Sequence, residues 1–277
     1  MEFPPLPIGD KISDLVDFLL IHFQGFFDII EVIVKFMGDG FEDALMIPPA
    51  LVLIIAITAL AFWRVNWMFG IFTALALYLI GCLQLWDQTI STLALVLTAT
   101  CLSLAIGIPI GIAMAKSNII ELLCRPLLDL MQTMPAFVYL IPAAMFFGLG
   151  KVPGIIATVI FAMPPAVRLT NLGIRSVPKE MVEAGLAFGC TPRQLLFKVQ
   201  IPNAMPSIMA GVNQNIMLAL SMVVIASMIG AGGLGNEVLI GIQRMEIGDG
   251  FEGGLAVVII AIILDRITQS FTQNNQV

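Results

Sequence analysis

The 277-residue chain is 59% hydrophobic and 12% charged, with a mean hydropathy of +1.00 and a formal net charge of −6. A soluble domain carries about 25% charged residues, so this composition excludes an ordinary soluble protein, and the acidic balance disfavours a nucleic-acid partner. Cys82, Cys101, Cys124 and Cys190 form no CxxC pair and His22 is the only histidine, which argues against a metal site or disulfide framework and for buried structural thiols.

The opening MEFPPLPIGDK has neither a basic n-region nor an apolar h-region, so no cleaved signal peptide is expected. Asp10, Asp14, Asp17, Gln24, Asp28, Glu31 and Lys35 then recur at spacings of 3, 4 or 7 and leave a wide face of Leu, Ile, Val and Phe. That pattern predicts an amphipathic helix along a membrane surface, broken near Gly25. Seven apolar runs follow, at about 47–63, 67–86, 88–115, 126–149, 153–170, 206–230 and 254–271. Runs of this kind cross a hydrocarbon core of about 30 Å as helices, because lipid leaves no other partner for backbone polar groups. Trp63, Trp67 and Trp86 fall at run ends, where interfacial aromatics belong. The expected fold is all-α and polytopic: about seven transmembrane helices plus the N-terminal amphipathic helix.

Basic residues set the orientation, since cytoplasmic loops carry excess Lys and Arg. With the N-terminus outside, nine lie at inner segments or span ends (Arg64, Lys116, Arg125, Arg168, Arg175, Lys179, Arg193, Lys198, Arg266) and four outside (Lys11, Lys35, Lys151, Arg244). This places EAGLAFGCTPRQLLFKVQIP, residues 183–202, in the cytoplasm. Lys179 to Phe188 suits a short helix that Gly189 ends in the left-handed conformation. Thr191 suits an N-cap, Pro192 the first helical position and Gln194 the far side of a capping box. Pro202 opposes easy continuation and Pro206 marks the start of the next span. A rigid, half-apolar helix pair suits either docking by a soluble partner or a connector folded back on its own helix ends.

The spacing resembles the EAA loop of bacterial ABC importer permeases: Glu-Ala-Ala, three residues, Gly, nine residues, Ile, any residue, Leu-Pro. Glu183 and Ala184 match, Gly185 replaces the second Ala, Gly189 falls on the glycine, Val199 stands for Ile, and Ile201 with Pro202 for Leu-Pro. RPLLDLMQTMPAFVYLIPAAMFFGLGKVPG (125–154), FAMPPAVRLTNLGI (161–174) and GVNQNIMLALSMVVIASMIGAGGLG (211–235) are similar to the permease of glycine betaine/proline betaine importers. The resemblance implies a type I importer permease with a MetI-like core at 87–277 and a coupling loop at 171–205, preceded by an outward N-terminal segment at 1–46 and an accessory hairpin at 47–86. It implies a homodimer in the bacterial inner membrane, two ABC ATPase subunits, an outward substrate-binding protein and import of compatible solutes, with choline or carnitine as alternative substrates. ATPase coupling then falls to Glu183, Ala184, Gly185, Gly189, Thr191, Pro192, Arg193 and Pro202. No GxxxxGK[ST] occurs in the sequence, so ATP and Mg are expected in the partner ATPase, with no cofactor or metal in this chain. A secondary transporter would need an intramembrane carboxylate relay, and an enzyme a coherent catalytic set; neither pattern is visible.

Asn213, Gln214 and Asn215 stand inside an apolar run, where they serve either as interhelical glue or as lining of a passage. Gln132, Thr133, Phe137 and Tyr139 raise the same alternatives, with the two aromatics able to face a quaternary ammonium. Gly107 and Gly111 suit close helix packing around Pro109, and Asp129 suits a pair with Arg125. The outward stretch 230–254 is either a docking surface for the binding protein, through Glu237, Arg244 and Glu246, or a flexible connection.

Overall fold

The computed structural model describes residues 8–273. Twelve α-helices and no strand occur among them: α1 Ile8–Met46, α2 Ala50–Arg64, α3 Trp67–Cys82, α4 Trp86–Lys116, α5 Asn118–Thr133, α6 Leu140–Phe147, α7 Lys151–Arg175, α8 Lys179–Ala187, α9 Pro192–Leu195, α10 Ile201–Ser227, α11 Leu234–Arg244 and α12 Ile247–Gln273. All seven apolar runs are helical. Four helices, α4, α7, α12 and α10 with its lead-in from Pro192, are each long and apolar enough to cross a membrane.

The run at 126–149 departs from the expected single span. It is split between α5 and α6, which meet at 111°. Pro135 explains the break, because the residue before a proline is driven out of the helical region, and Met134 is extended at φ −71°, ψ 136°. α5 also begins eight residues earlier than the run suggested, at Asn118.

The N-terminal helix also differs from a simple surface helix. Its backbone is non-helical at Phe23, two residues from Gly25, and it continues to Met46 before turning 96° into α2. Its second half packs on the bundle: Phe27 stacks on Phe146 with ring centroids 4.6 Å apart, Val34 is buried in the main core, and Glu42 accepts from Ser91 and pairs with Lys151. The face that looked free for lipid is partly spent on α4 and α7. The thiols depart too, with Cys82 and Cys101 exposed and Cys124 and Cys190 half-buried.

The centre of the molecule is α7, held between α4 and α10. Small residues permit the approach, as in membrane helix pairs generally. A β-carbon added at Gly111 of α4 would stand 2.7 Å from Thr170 Cβ of α7, and one at Gly173 of α7 would stand 2.7 Å from Ser207 Cβ of α10. A β-carbon added at Gly211 of α10 would stand 3.2 Å from the Ala166 backbone. Gly111→Ala should therefore force α4 off α7 and lower stability by about 1–3 kcal/mol. Gly254→Ala, where nothing lies within 4 Å, should not; thermal unfolding of the purified protein in detergent distinguishes the two.

Candidate functional site

The corner at 176–202 is built by local sequence chemistry. α7 ends at Arg175, and Pro178 precedes α8, which it cannot extend backwards. At the other end Gly189 takes φ +76°, the Cys190 N–H reaches the Gly185 carbonyl at 3.0 Å and the Gly189 N–H reaches Leu186 at 2.9 Å. This is a Schellman closure, and it requires a residue free to be left-handed. The capping box is present as the sequence predicts: the Gln194 N–H donates to Thr191 Oγ1 at 3.3 Å and the Thr191 N–H to Gln194 Oε1 at 2.8 Å, with Pro192 at the helix start.

Pro202 does not separate the second short helix from the next span. The chain runs helically from Pro192 to Ser227, through a π-helical turn at Leu196–Gln200. The widened turn lies where Pro202 lacks an N–H and its ring would meet the carbonyl four residues back, so the helix bends its ladder instead of stopping. Asn203 Nδ2 donates to the Val199 carbonyl at 2.7 Å and satisfies an acceptor there. The corner is consequently joined to α10 without a flexible link.

Most of the expected coupling residues line the outer face of this corner. Glu183, Ala184, Gly189, Thr191, Pro192, Arg193 and Pro202 are exposed, and Glu183 and Arg193 make no ion pair among the described residues. Gly185 is buried, because a β-carbon there would come within 2.8 Å of Leu195 Cδ1. Glycine in place of the motif's second alanine thus lets the larger Leu195 side chain close over α8. Beside the charges stand Leu186, Phe188 and Phe197, of which Phe188 is 89% exposed. An apolar surface of this kind, rimmed by charge, is the type that suits an interaction site.

The seven intramembrane polar and aromatic candidates divide. Asn215 is fully buried; its Nδ2 donates to Ser103 Oγ of α4 at 2.7 Å and to the Ala162 carbonyl of α7 at 2.8 Å. Asn213 turns to α12 and donates to Asp265 Oδ1 at 2.8 Å. Tyr139 is buried against Phe161, and its hydroxyl donates to the Met131 carbonyl across the α5–α6 bend. These three hold helices together. Gln214, Gln132, Thr133 and Phe137 are exposed on the single chain.

Beyond the far end of α10, Leu234–Arg244 forms α11 rather than a flexible connection. The Leu234 N–H donates to Thr92 Oγ1 at 2.8 Å, and Glu237 is half-buried, accepting from Gln88 Nε2 at 3.4 Å. Arg244 and Glu246 remain exposed, beside the uncovered side chains of Met245, Ile247 and Phe251. Sequence reading missed an ionic cluster at the opposite end. Asp129 pairs with Arg168 of α7, not with Arg125, which takes Glu121. Arg175 pairs with Glu121 at 2.9 Å and donates to the Met114 carbonyl at 2.8 Å and to Asn118 Oδ1 at 2.9 Å. These partners are far apart in sequence, so the spacing around Asp129 offered only the local alternative.

An all-helical membrane bundle with a stiff, exposed corner has the architecture of a transport permease. The family described as "binding-protein-dependent transport system inner membrane component" matches residues 107–274, and the chain belongs to that family. It is a multi-pass membrane transport subunit, not an enzyme. It is 53% identical to the glycine betaine/carnitine transport permease protein GbuB of Listeria monocytogenes over 98% of both chains. It is 49% identical to the glycine betaine/proline betaine transport system permease protein ProW of Escherichia coli, covering 98% of this chain and 77% of that one. To the glycine betaine transport system permease protein OpuAB of Bacillus subtilis it is also 49% identical, over 97% and 95% of the two chains. The fold is that of the MetNI methionine ABC transporter in an inward-facing crystal form, with a TM-score of 0.60 and 20% identity over 68% of this chain and 94% of that one.

The division of the polar residues generates a test. Asn215→Ala should remove the bonds that tie α10 to Ser103 of α4 and to the Ala162 carbonyl of α7 and lower stability by about 1–2 kcal/mol. Gln214→Ala should leave the unfolding temperature unchanged; equal losses in both variants would contradict the division.

Proposed function

We propose that this chain is the membrane-spanning subunit of an ATP-driven importer for glycine betaine and proline betaine. The observation that carries the reading is near-full-length similarity to permeases named for those solutes, in species as distant as Listeria and Escherichia. GbuB is also named for carnitine, so carnitine is the second reading of the substrate.

Two copies of the chain pair in the bacterial inner membrane, with their N-termini outside, and each presents residues 183–202 to one of two cytoplasmic ABC ATPase subunits. ATP and Mg belong to those subunits. The exposed patch of Leu186, Phe188 and Phe197, flanked by Glu183 and Arg193, supports this role, because a soluble partner can cover the apolar centre while the charges set its register. Closure of the ATPases displaces the two corners and swings the bundles between inward-open and outward-open states. A substrate-binding protein docks outside, with exposed Arg244 and Glu246 as contacts and Glu237 behind them. Among the seven path candidates, Gln214, Gln132, Thr133 and Phe137 face the passage between the copies. Exposed amides have no satisfactory place against lipid, and Phe137 offers its ring to a quaternary ammonium.

Glu183→Lys and Gly189→Asp should each reduce ATPase co-purification or ATP-driven uptake by at least about tenfold, the effect of roughly 1.4 kcal/mol at an interface, while the permease still inserts. The measurement is uptake of radiolabelled glycine betaine into proteoliposomes containing all subunits, with proline betaine, choline and carnitine as competitors. Normal association and uptake in both variants would remove the corner from the coupling path.

A further inference from the structure

The accessory hairpin carries a feature that the coupling role does not use. Arg64 ends α2, and its guanidinium lies 4.0 Å above the ring of Phe271 in α12 and 5.6 Å from that of Trp63. Its Nε is buried and has no hydrogen-bond partner among the described residues. Five residues before Phe271 on α12, Arg266 borders an open groove of about 360 Å³ that begins at Val65, next to Arg64, and whose other walls are Asn66, Met68, Phe69 and Phe72. Neither arginine meets a carboxylate among the described residues, whereas Arg125, Arg168 and Arg175 all do. Trp63 and Trp67 stand exposed on either side of the loop, at the depth where interfacial aromatics mark the headgroup level.

Two guanidinium groups with no carboxylate partner among the described residues suit an anion, since each presents a fork of donors matched to phosphate oxygens. The groove beside Arg266 is walled mainly by apolar side chains, of which Met68 and Phe72 are exposed, so the anion it suits is one attached to a hydrocarbon chain. We propose that Arg64 and Arg266 bind the phosphate of an anionic phospholipid, with an acyl chain lying along Met68, Phe69 and Phe72. The bound lipid joins the accessory hairpin to α12. Its location in the cytoplasmic leaflet rests on the orientation proposed above; the preference for anionic lipid does not.

The test is native mass spectrometry of the complete complex in mild detergent, with phosphatidylglycerol or phosphatidylcholine of identical acyl chains. Phosphatidylglycerol should be retained preferentially. Arg64→Gln with Arg266→Gln should weaken its retention roughly thirtyfold, from about fivefold per basic charge at a membrane surface. The corresponding double lysine variant should keep most of it, and Arg125→Gln should change nothing. If the double glutamine variant does not assemble, Arg266→Gln alone should give about a fivefold loss. Millimolar inorganic phosphate should not displace the lipid; displacement would instead assign the site to a free anion. Equal retention of the two lipids, or unchanged retention in the glutamine variants, would overturn the proposal. Thiol labelling of Phe188→Cys in an otherwise cysteine-free chain, from either side of the membrane, reports the orientation separately.

Discussion

Asn215 makes the contact on which the rest of the bundle depends. In hydrocarbon a side-chain amide must find partners within the protein, and this one finds them on two helices at once, Ser103 of α4 and the Ala162 carbonyl of α7. The small residues around it, Gly107, Gly111, Gly173 and Gly211, let the three backbones approach closely enough for those bonds to form. Neither feature suffices alone. Larger side chains would hold the amide away from its acceptors, and an apolar residue at 215 would leave the register of α10 against α7 less specified.

That constraint reaches the corner because α7 leads into it and α10 leads out of it. α7 is fixed at its end by Arg175, which gathers Glu121, Asn118 and the Met114 carbonyl. α10 is fixed by the unbroken helical run through the π-turn at Leu196–Gln200. Between them the Schellman closure at Gly189 and the capping box at Thr191 satisfy the polar groups that would otherwise let a short helix fray. Force applied to the face bearing Phe188 therefore passes to packed helices, not to a loose loop.

Much of this was legible in the sequence, and for identifiable reasons. Helix locations follow from apolar run length, which lipid enforces, and the corner from Gly, Thr, Pro and Gln at fixed offsets. The consequences of prolines were legible only in part. Pro135 breaks its run because the residue before it turns extended, whereas Pro202 is absorbed by a π-turn that no local signal announces. The roles of Asn213, Asn215 and Tyr139 were open because a polar residue in a span has the same appearance whether it faces a helix or a passage; only the partners on α4, α7 and α12 decide. The pairing of Asp129 with Arg168 was misplaced for the same reason, since the local partner Arg125 was the only one the spacing offered. α11 was missed because its glycines suggest flexibility, although Gly235 and Gly241 permit contact with Val223 and Gly250.

The central claim is that α7, the corner and α10 move as one body. Pulsed electron paramagnetic resonance between spin labels at the exposed positions 172 and 188 of one copy, in an otherwise cysteine-free complex, tests it most directly. The 172-to-188 distance should be the same without nucleotide and with ATP trapped, while the distance between the 188 labels of the two proposed copies changes. A 172-to-188 distance that shifts as much as the distance between copies would contradict the account, for the corner would then be a hinge.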